Sequence, residues 1–241
     1  MTDVLILDNV RLGFVIILML VASYFDLRTR EINDNLWYIA IAGGVVINIF
    51  QFITDFSMEF VIMLSSSLII AGIIGFTIYY LGLFGGADAK AMISIGMILP
   101  VFQPQVGIHP FSTIIVFTNG LILSLLPAVF MIGYNLFRIA KGENLFSGFE
   151  SERVWRKGLA MVVGYKTSSP GGHFLLSIER ASGTKKAFDF SPSKAGDDFV
   201  ETAGTWVTPG IPLLIFITAG LFLMLLYGDL SSIVTLKILG L

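Results

Sequence analysis

Six apolar runs limit this chain to folds that a lipid bilayer can hold: residues 11–26, 35–54, 59–84, 88–101, 112–138 and 209–227. A hydrocarbon core takes roughly 20 apolar residues in helical form, with a range of about 17–25. Helices suit it because they satisfy their own backbone polar groups. The fourth run is the shortest, ended early by Pro100 and Pro104. Of 241 residues, 55% are hydrophobic and 13% charged, where a soluble domain carries about a quarter charged. The pattern predicts an all-α polytopic membrane protein with six transmembrane helices and one long polar insertion. The expected organisation is helices 1–5 in residues 1–139, a small soluble domain in 140–208, and helix 6 with a C-terminal tail in 209–241.

Local signals refine this outline. Asn33, Asp34 or Asn35 can cap the second run, and Asp88 the fourth. Gly43, Gly44, Gly72 and Gly75 suit close helix packing in lipid. Within the insertion, residues 155–166 and 172–180 mix β-branched and aromatic side chains, and Ala181-Ser182-Gly183-Thr184 reads as a turn. A hairpin over 174–190 is expected, so the soluble domain contains β structure. Trp206 is expected to anchor the return to the bilayer at its interface.

Charge sets the expected orientation. All of the 15 basic residues except Arg11 and Lys237 follow the first run (Arg28, Arg30), stand at the start of the fourth (Lys90), or lie from Arg138 through Lys194. The positive-inside rule then puts the insertion in the cytosol and both termini outside. The start Met1-Thr2-Asp3 lacks the basic opening of a signal peptide, so the first run is expected to be retained in a multi-pass plasma-membrane protein.

Several chemistries are set aside. The chain has no cysteine, which removes disulfides, thiolate nucleophiles and cysteine-bound zinc. Its two histidines, His109 and His173, stand far apart, a poor basis for a zinc site or a charge-relay serine. Gly82, Gly85 and Gly86 lack the spacing of a phosphate loop. No cofactor, metal or nucleic-acid partner is expected. Carboxylates remain for demanding chemistry.

Two of these stand at the ends of apolar runs: Asp26 in Tyr24-Phe25-Asp26-Leu27-Arg28-Thr29-Arg30, and Asp88 in Gly85-Gly86-Ala87-Asp88-Ala89-Lys90. Ionisable groups at a membrane helix are costly and raise a functional question. The charge rule puts both on the same, cytosolic, side. Two nearby aspartates that share one proton can hydrolyse a peptide bond: the ionised one takes a proton from water, the neutral one donates to the carbonyl. The glycines before Asp88 give backbone freedom and room for an extended substrate. Other readings stand at this level. A lone aspartate at a helix end is commonly a cap, and transporters use membrane carboxylates for proton coupling.

The segment from Asp26 to Asp34 resembles the first aspartate motif of the type IV prepilin peptidases, and Gly85-Gly86-Ala87-Asp88-Ala89-Lys90 resembles their second. The match is closest to the archaeal preflagellin (archaellin) peptidase branch. Ala87 stands where the Gly-x-Gly-Asp motif has its second glycine, and Asn33 where many relatives have proline. The resemblance implies a membrane aspartyl endopeptidase with Asp26 and Asp88 as the catalytic pair and Gly85, Gly86 and Lys90 beside the substrate. It also implies partners: membrane-anchored precursors with a short basic class III signal peptide, cut at the cytosolic face. The cysteine-rich domain that many bacterial relatives use for methylation is absent, so cleavage without methyl transfer is expected. Presenilin-like proteases, with a related aspartate pair, are the enzymatic alternative.

Remaining polar residues have plainer expectations. His109 reads as a surface residue of an outer loop, and His173 as a structural residue opening a strand. Asn48 and Asn119 read as interhelical hydrogen-bonding groups. Lys90 points away from Asp88 on its helix, toward headgroups. Glu31, Asp34, Asp189, Asp197 and Asp198 read as cytosolic acidic points that serve ordinary solubility, the other reading being an acidic rim that would attract a basic leader. Single cysteines placed beside Arg30, Lys90 or Lys185 are expected to resist an impermeant reagent added outside sealed cells, and one beside His109 to react. Labelling beside Lys185 would reverse the orientation.

Overall fold

The structure, a computed structural model, describes residues 2–81, 85–104, 107–167, 175–182, 185–190, 203–210 and 212–240. The chain forms two compact units, Met1–Leu123 with Pro212–Leu241, and Ser124–Ile211.

The first unit is helical: α1 (Thr2–Thr29), α2 (Asp34–Thr54), α3 (Met58–Tyr80), α4 (Gly86–Ile98), α5 (Ser112–Ser124, with Ser124 in the other unit), α8 (Leu213–Tyr227) and α9 (Leu230–Leu239). Asn33 caps α2 through its side chain, which accepts from the Asn35 N–H at 2.9 Å. The core is built on α4, whose Ala91, Met92, Ile95 and Ile98 pack with Val15, Leu18 and Met19 of α1, Ile78 of α3, and Leu214 and Ile217 of α8.

Membrane-crossing length holds for fewer helices than the apolar runs suggest. Ile6–Thr29, Asp34–Thr54, Met58–Tyr80 and Ser112–Ala140 are long and apolar enough to cross. The α8–α9 pair, bent by 58°, makes a fifth if it counts as one span. The expected fourth span is α4, which has 13 residues and so reaches about 20 Å against a hydrocarbon core of about 30 Å. Pro100 follows its C-cap Leu99, and the residue before a proline is held out of the helical region. Six full spans are therefore not what the described residues form. The expected C-terminal tail is also a helix, α9, capped by Asp229, whose carboxylate accepts from the Ser231 and Ser232 N–H groups.

A short helix in an apolar setting leaves its last carbonyls without partners. Here three neighbouring helices supply donors to three successive carbonyls of α4. Ser67 Oγ of α3 donates to Gly96 O at 3.2 Å, Asn48 Nδ2 of α2 to Met97 O at 2.9 Å, and Arg11 Nη1 of α1 to Ile98 O at 2.7 Å. Arg11 also donates to Gln51 Oε1 at 2.6 Å and is buried inside α1. Asn48 and Asn119 act as expected: Asn119 Nδ2 donates to Gly228 O at 3.0 Å, and its Oδ1 accepts from the Leu230 N–H at 3.1 Å, holding the α8–α9 bend.

The second unit contains α6 (Leu126–Ala140), α7 (Val154–Val163), and strands β1 (Tyr165–Lys166), β2 (Leu175–Ser177), β3 (Glu179–Ser182), β4 (Lys185–Phe188) and β5 (Trp206–Pro209). The order β1-β5-β2 makes one antiparallel sheet, and β3-β4 form the hairpin anticipated over 174–190. Residues 155–166 are mostly helix, not strand, and the helix puts Ala160 in the core of this unit. Trp206 is fully buried. Its indole stacks on Phe146 at 5.4 Å and donates from Nε1 to Leu145 O at 3.0 Å, so it is a core residue of this unit and not an interfacial anchor.

Close helix crossing in the first unit gives a stability test. A Cβ on Gly220 of α8 would lie 2.5 Å from Val116 O and 2.6 Å from the Gly120 N of α5, while one on Gly13 meets nothing within 4 Å. Gly220→Ala is expected to cost about 1–3 kcal/mol through overpacking, seen as a lower melting temperature in detergent. Gly13→Ala should leave it unchanged or raised, since alanine favours helix.

Candidate active site

Asp88 lies in the first turn of α4 and Asp26 in the last turns of α1, so both helices carry their carboxylates at one end of the first unit. Asp88 does not cap α4 as the first residue. Gly85 is the N-cap, and the two are locked reciprocally: the Asp88 N–H donates to Gly85 O at 3.2 Å, and the Gly85 N–H donates to Asp88 Oδ2 at 3.0 Å. Asp88 is 8% exposed, and Asp26 is half-buried. The structure brings them together closely enough for the Asp26 charge to act on the Asp88 carboxyl.

Asp26 is also placed against the start of α8. The Leu214 backbone amide faces its carboxylate, and Arg30 is the nearby cation. A helix N-terminus offers unpaired N–H groups and a favourable dipole to an anion. One turn below, hydroxyls fasten α8 to α1. Ser23 Oγ donates to Leu214 O at 3.1 Å and lies 2.6 Å from Thr218 Oγ1, which donates to Met19 O at 3.1 Å. Ser23 and Thr218 carry no signal in the sequence. Each is a small hydroxyl in an apolar run, and only the fold reveals the partner.

The glycines beside Asp88 are used differently from expectation. Gly85 sits at φ −73°, which any residue adopts. A Cβ on Gly85 would meet Asp88 Oδ2 at 3.7 Å, and one on Gly86 would meet Tyr79 at 3.7 Å, both ordinary contacts. Neither backbone freedom nor internal packing requires them. What they leave is bare backbone beside a carboxylate. Lys90 does not stand free toward headgroups: its Nζ pairs with Asp34 Oδ1 at 2.6 Å. That pair also takes Asp34 out of the alternative acidic rim. The Asp189 N–H donates to Ile178 O at 2.9 Å, and Asp197, Asp198 and His173 lie outside the described residues.

A third carboxylate escapes the sequence reading. Asp229 is fully buried, bonded to Ser231 and Ser232, with His109 Nε2 3.7 Å from its Oδ2. His109 is therefore a partner of a buried acid and not a simple surface residue. The signal is legible as Asp-x-Ser-Ser-type capping after Gly228. Asp229 follows the far end of α8, about 20 Å along its axis from Leu214, so it stands apart from the aspartate pair. Among the described residues no cluster of three or more histidines or acids could hold a metal.

The sequence profile of the type IV leader peptidase family matches residues 13–136, which carry both aspartates. The chain belongs to that family. The archaeal peptidase A24 C-terminal type II profile matches residues 192–230. The chain is similar to the preflagellin peptidase of Methanococcus maripaludis, 27% identical over 229 residues that span 88% of this chain and 92% of the relative. It is 26% identical to the preflagellin peptidase of Methanococcus voltae over 88% of this chain and 92% of the relative. The preflagellin peptidase of Methanocaldococcus jannaschii is 26% identical over 92% of this chain and 96% of its own length. The protein is thus a membrane peptidase of the leader-processing family.

The Lys90–Asp34 pair has side chains 44% and 55% exposed, so its worth to stability is small. Lys90→Ala and Asp34→Ala are each expected to change unfolding stability in detergent by less than about 1 kcal/mol. A larger loss would mean that the pair holds α2 to α4.

Proposed function

We propose that this protein is an aspartyl endopeptidase that removes a short basic leader from preflagellin-like or type IV prepilin-like precursors at the cytosolic membrane face. The observation that carries the reading is the pairing of Asp26 and Asp88 at one end of the first unit, within reach of each other's charge. Family membership supports the peptidase activity, and the names of the relatives support the substrate.

The chemistry follows from the carboxyl pair. The two share one proton, because like charges that act on one another resist joint ionisation. The ionised carboxylate draws a proton from a water as its oxygen attacks the scissile carbonyl carbon. The protonated carboxyl donates to the carbonyl oxygen, giving a tetrahedral diol. The carboxyl that now holds the proton donates it to the leaving nitrogen while the other carboxylate takes a proton from a diol hydroxyl. The C–N bond breaks to a carboxylic acid and an amine, and the pair again holds one proton. Gly85 and Gly86 let the substrate backbone come close to Asp88. Which aspartate starts ionised is a property of the pair.

The test is incubation of purified protein in detergent with a preflagellin or prepilin precursor and mass measurement of the products. The wild type should release a short basic leader. Asp26→Asn and Asp88→Asn should each lower turnover at least about 100-fold, with the double variant little worse than either alone, as for groups that act as a unit. The amide oxygen that Asp88→Asn introduces can still accept from the Gly85 N–H, so folding is retained. Appreciable turnover by either single variant removes that residue from the chemistry.

A further inference from the structure

Beyond α6, Val154 and Trp155 are the only large apolar side chains that the second unit exposes among its described residues, at 85% and 58%. Its other aromatic side chains are packed away, with Phe149, Phe188 and Trp206 in the core. Single apolar residues scattered over a surface need no explanation. These two are adjacent and open α7, with Arg153 before them and Arg156 and Lys157 after.

α7 is tied to a membrane-crossing helix. α6 is the second half of the span Ser112–Ala140, and its Leu136, Phe137 and Ile139 stay exposed down to its end. At that level Asn135 Nδ2 donates to Met161 O at 3.1 Å and to Gly164 O at 2.7 Å. The Tyr134 and Tyr165 rings meet there edge to face at 5.9 Å. Val154 precedes Met161 by about 10 Å along the α7 axis. The headgroup layer of a bilayer is itself roughly 5–8 Å deep, so α6 holds the first turn of α7 in it or beside it.

Next to Trp155 a cavity of about 500 Å³ is lined by Glu152, Arg153, Arg156 and Lys186. Its acidic neighbours are turned inward. Glu152 pairs with Arg156 at 3.0 Å and accepts from the Phe188 N–H at 2.8 Å. Glu179 pairs with Lys186 at 2.9 Å and accepts from the Trp206 N–H at 2.6 Å. Arg153 forms no ion pair among the described residues. Near Lys157 stands the exposed Glu150, already bonded to the Gly148 N–H at 2.9 Å. The outward charge of this turn is therefore basic.

An anionic bilayer surface matches all of these features. Tryptophan prefers the membrane interface, basic side chains gain from anionic headgroups, and a helix of this mix lies in the interface plane. An acidic soluble partner would use the cations and leave Val154 in water. We propose that the first turn of α7 docks on the leaflet where α6 ends, with Val154 and Trp155 among the lipids and Arg153, Arg156 and Lys186 facing the phosphates of anionic headgroups. The anchoring expected of Trp206 falls to Trp155. The docking does not depend on the aspartate chemistry.

The test places a nitroxide on Val154→Cys, the only thiol in the chain, in the full-length protein held in lipid nanodiscs. Collision with oxygen, which concentrates in lipid, is compared with collision with a water-soluble nickel complex. In phosphatidylcholine discs enriched in phosphatidylglycerol, oxygen should dominate at position 154. In phosphatidylcholine alone nickel should gain, a comparison that needs no second substitution. Arg153→Gln should lower the docked-to-free ratio about fivefold in the anionic discs, the worth of one basic residue at such a surface. Trp155→Asp should release the label there, and rising salt should weaken docking, since exposed charges are screened over about 10 Å at 0.1 M. Nickel dominance in anionic discs overturns the docking. So does an oxygen signal that ignores lipid charge, Arg153→Gln and Trp155→Asp alike. Shielding of the label from both reagents in either lipid also overturns it, and would mean that a second copy or another part of the chain covers this turn.

Discussion

The end of α4 is where the apolar medium presses hardest on the backbone. In water the last carbonyls of a helix find solvent; in hydrocarbon an unsatisfied group costs several kcal/mol. The protein meets that cost with one donor from each of three helices, Ser67, Asn48 and Arg11. This arrangement sets much else. It lets a 13-residue helix end inside the bundle, and it fixes the axis along which Asp88 is presented at the other end. Burying a guanidinium for this purpose is tolerable because Gln51 and the face of Phe60 share the charge's surroundings.

The two carboxylates are held by different devices. Asp88 is tied into its own helix start through Gly85, a local lock that travels with α4. Asp26 depends on α8, a segment far away in sequence, whose first turn is pinned to α1 by Ser23 and Thr218. One acid is therefore positioned by sequence neighbours and the other by tertiary packing. A change in how α8 seats on α1 alters the environment of Asp26 directly and leaves the local Gly85 lock on Asp88 intact.

What can be read in the sequence follows this same division. The α2 cap and the β3–β4 hairpin rest on local pattern, and local pattern locates them. For Asn48 and Asn119 the apolar run gives the kind of role, while the partners, Met97 and Gly228, come only from the fold. Trp206, Arg11 and His109 defeat a local reading because each is decided by a distant partner: Leu145 and Phe146, Ile98, and Asp229. Hydropathy places a tryptophan near a membrane or in a core equally well. The short α4 is visible in Pro100, yet counting it as a span ignores that thirteen residues cannot cover the distance. Lys90 falls on the expected side of its helix, away from Asp88, but its ion partner on α2 lies beyond any spacing rule.

The reach of α4 has a further consequence for the membrane itself. A helix about 10 Å shorter than the hydrocarbon core would force lipid to thin if it faced lipid. Most of α4 is buried against its neighbours, so protein and not lipid makes up the shortfall. Bilayer thickness then acts first on α1, α2 and α3, which are long enough to span and answer mismatch by tilting. Acyl-chain length bears on the two aspartates only through the tilt of the longer helices that hold α4.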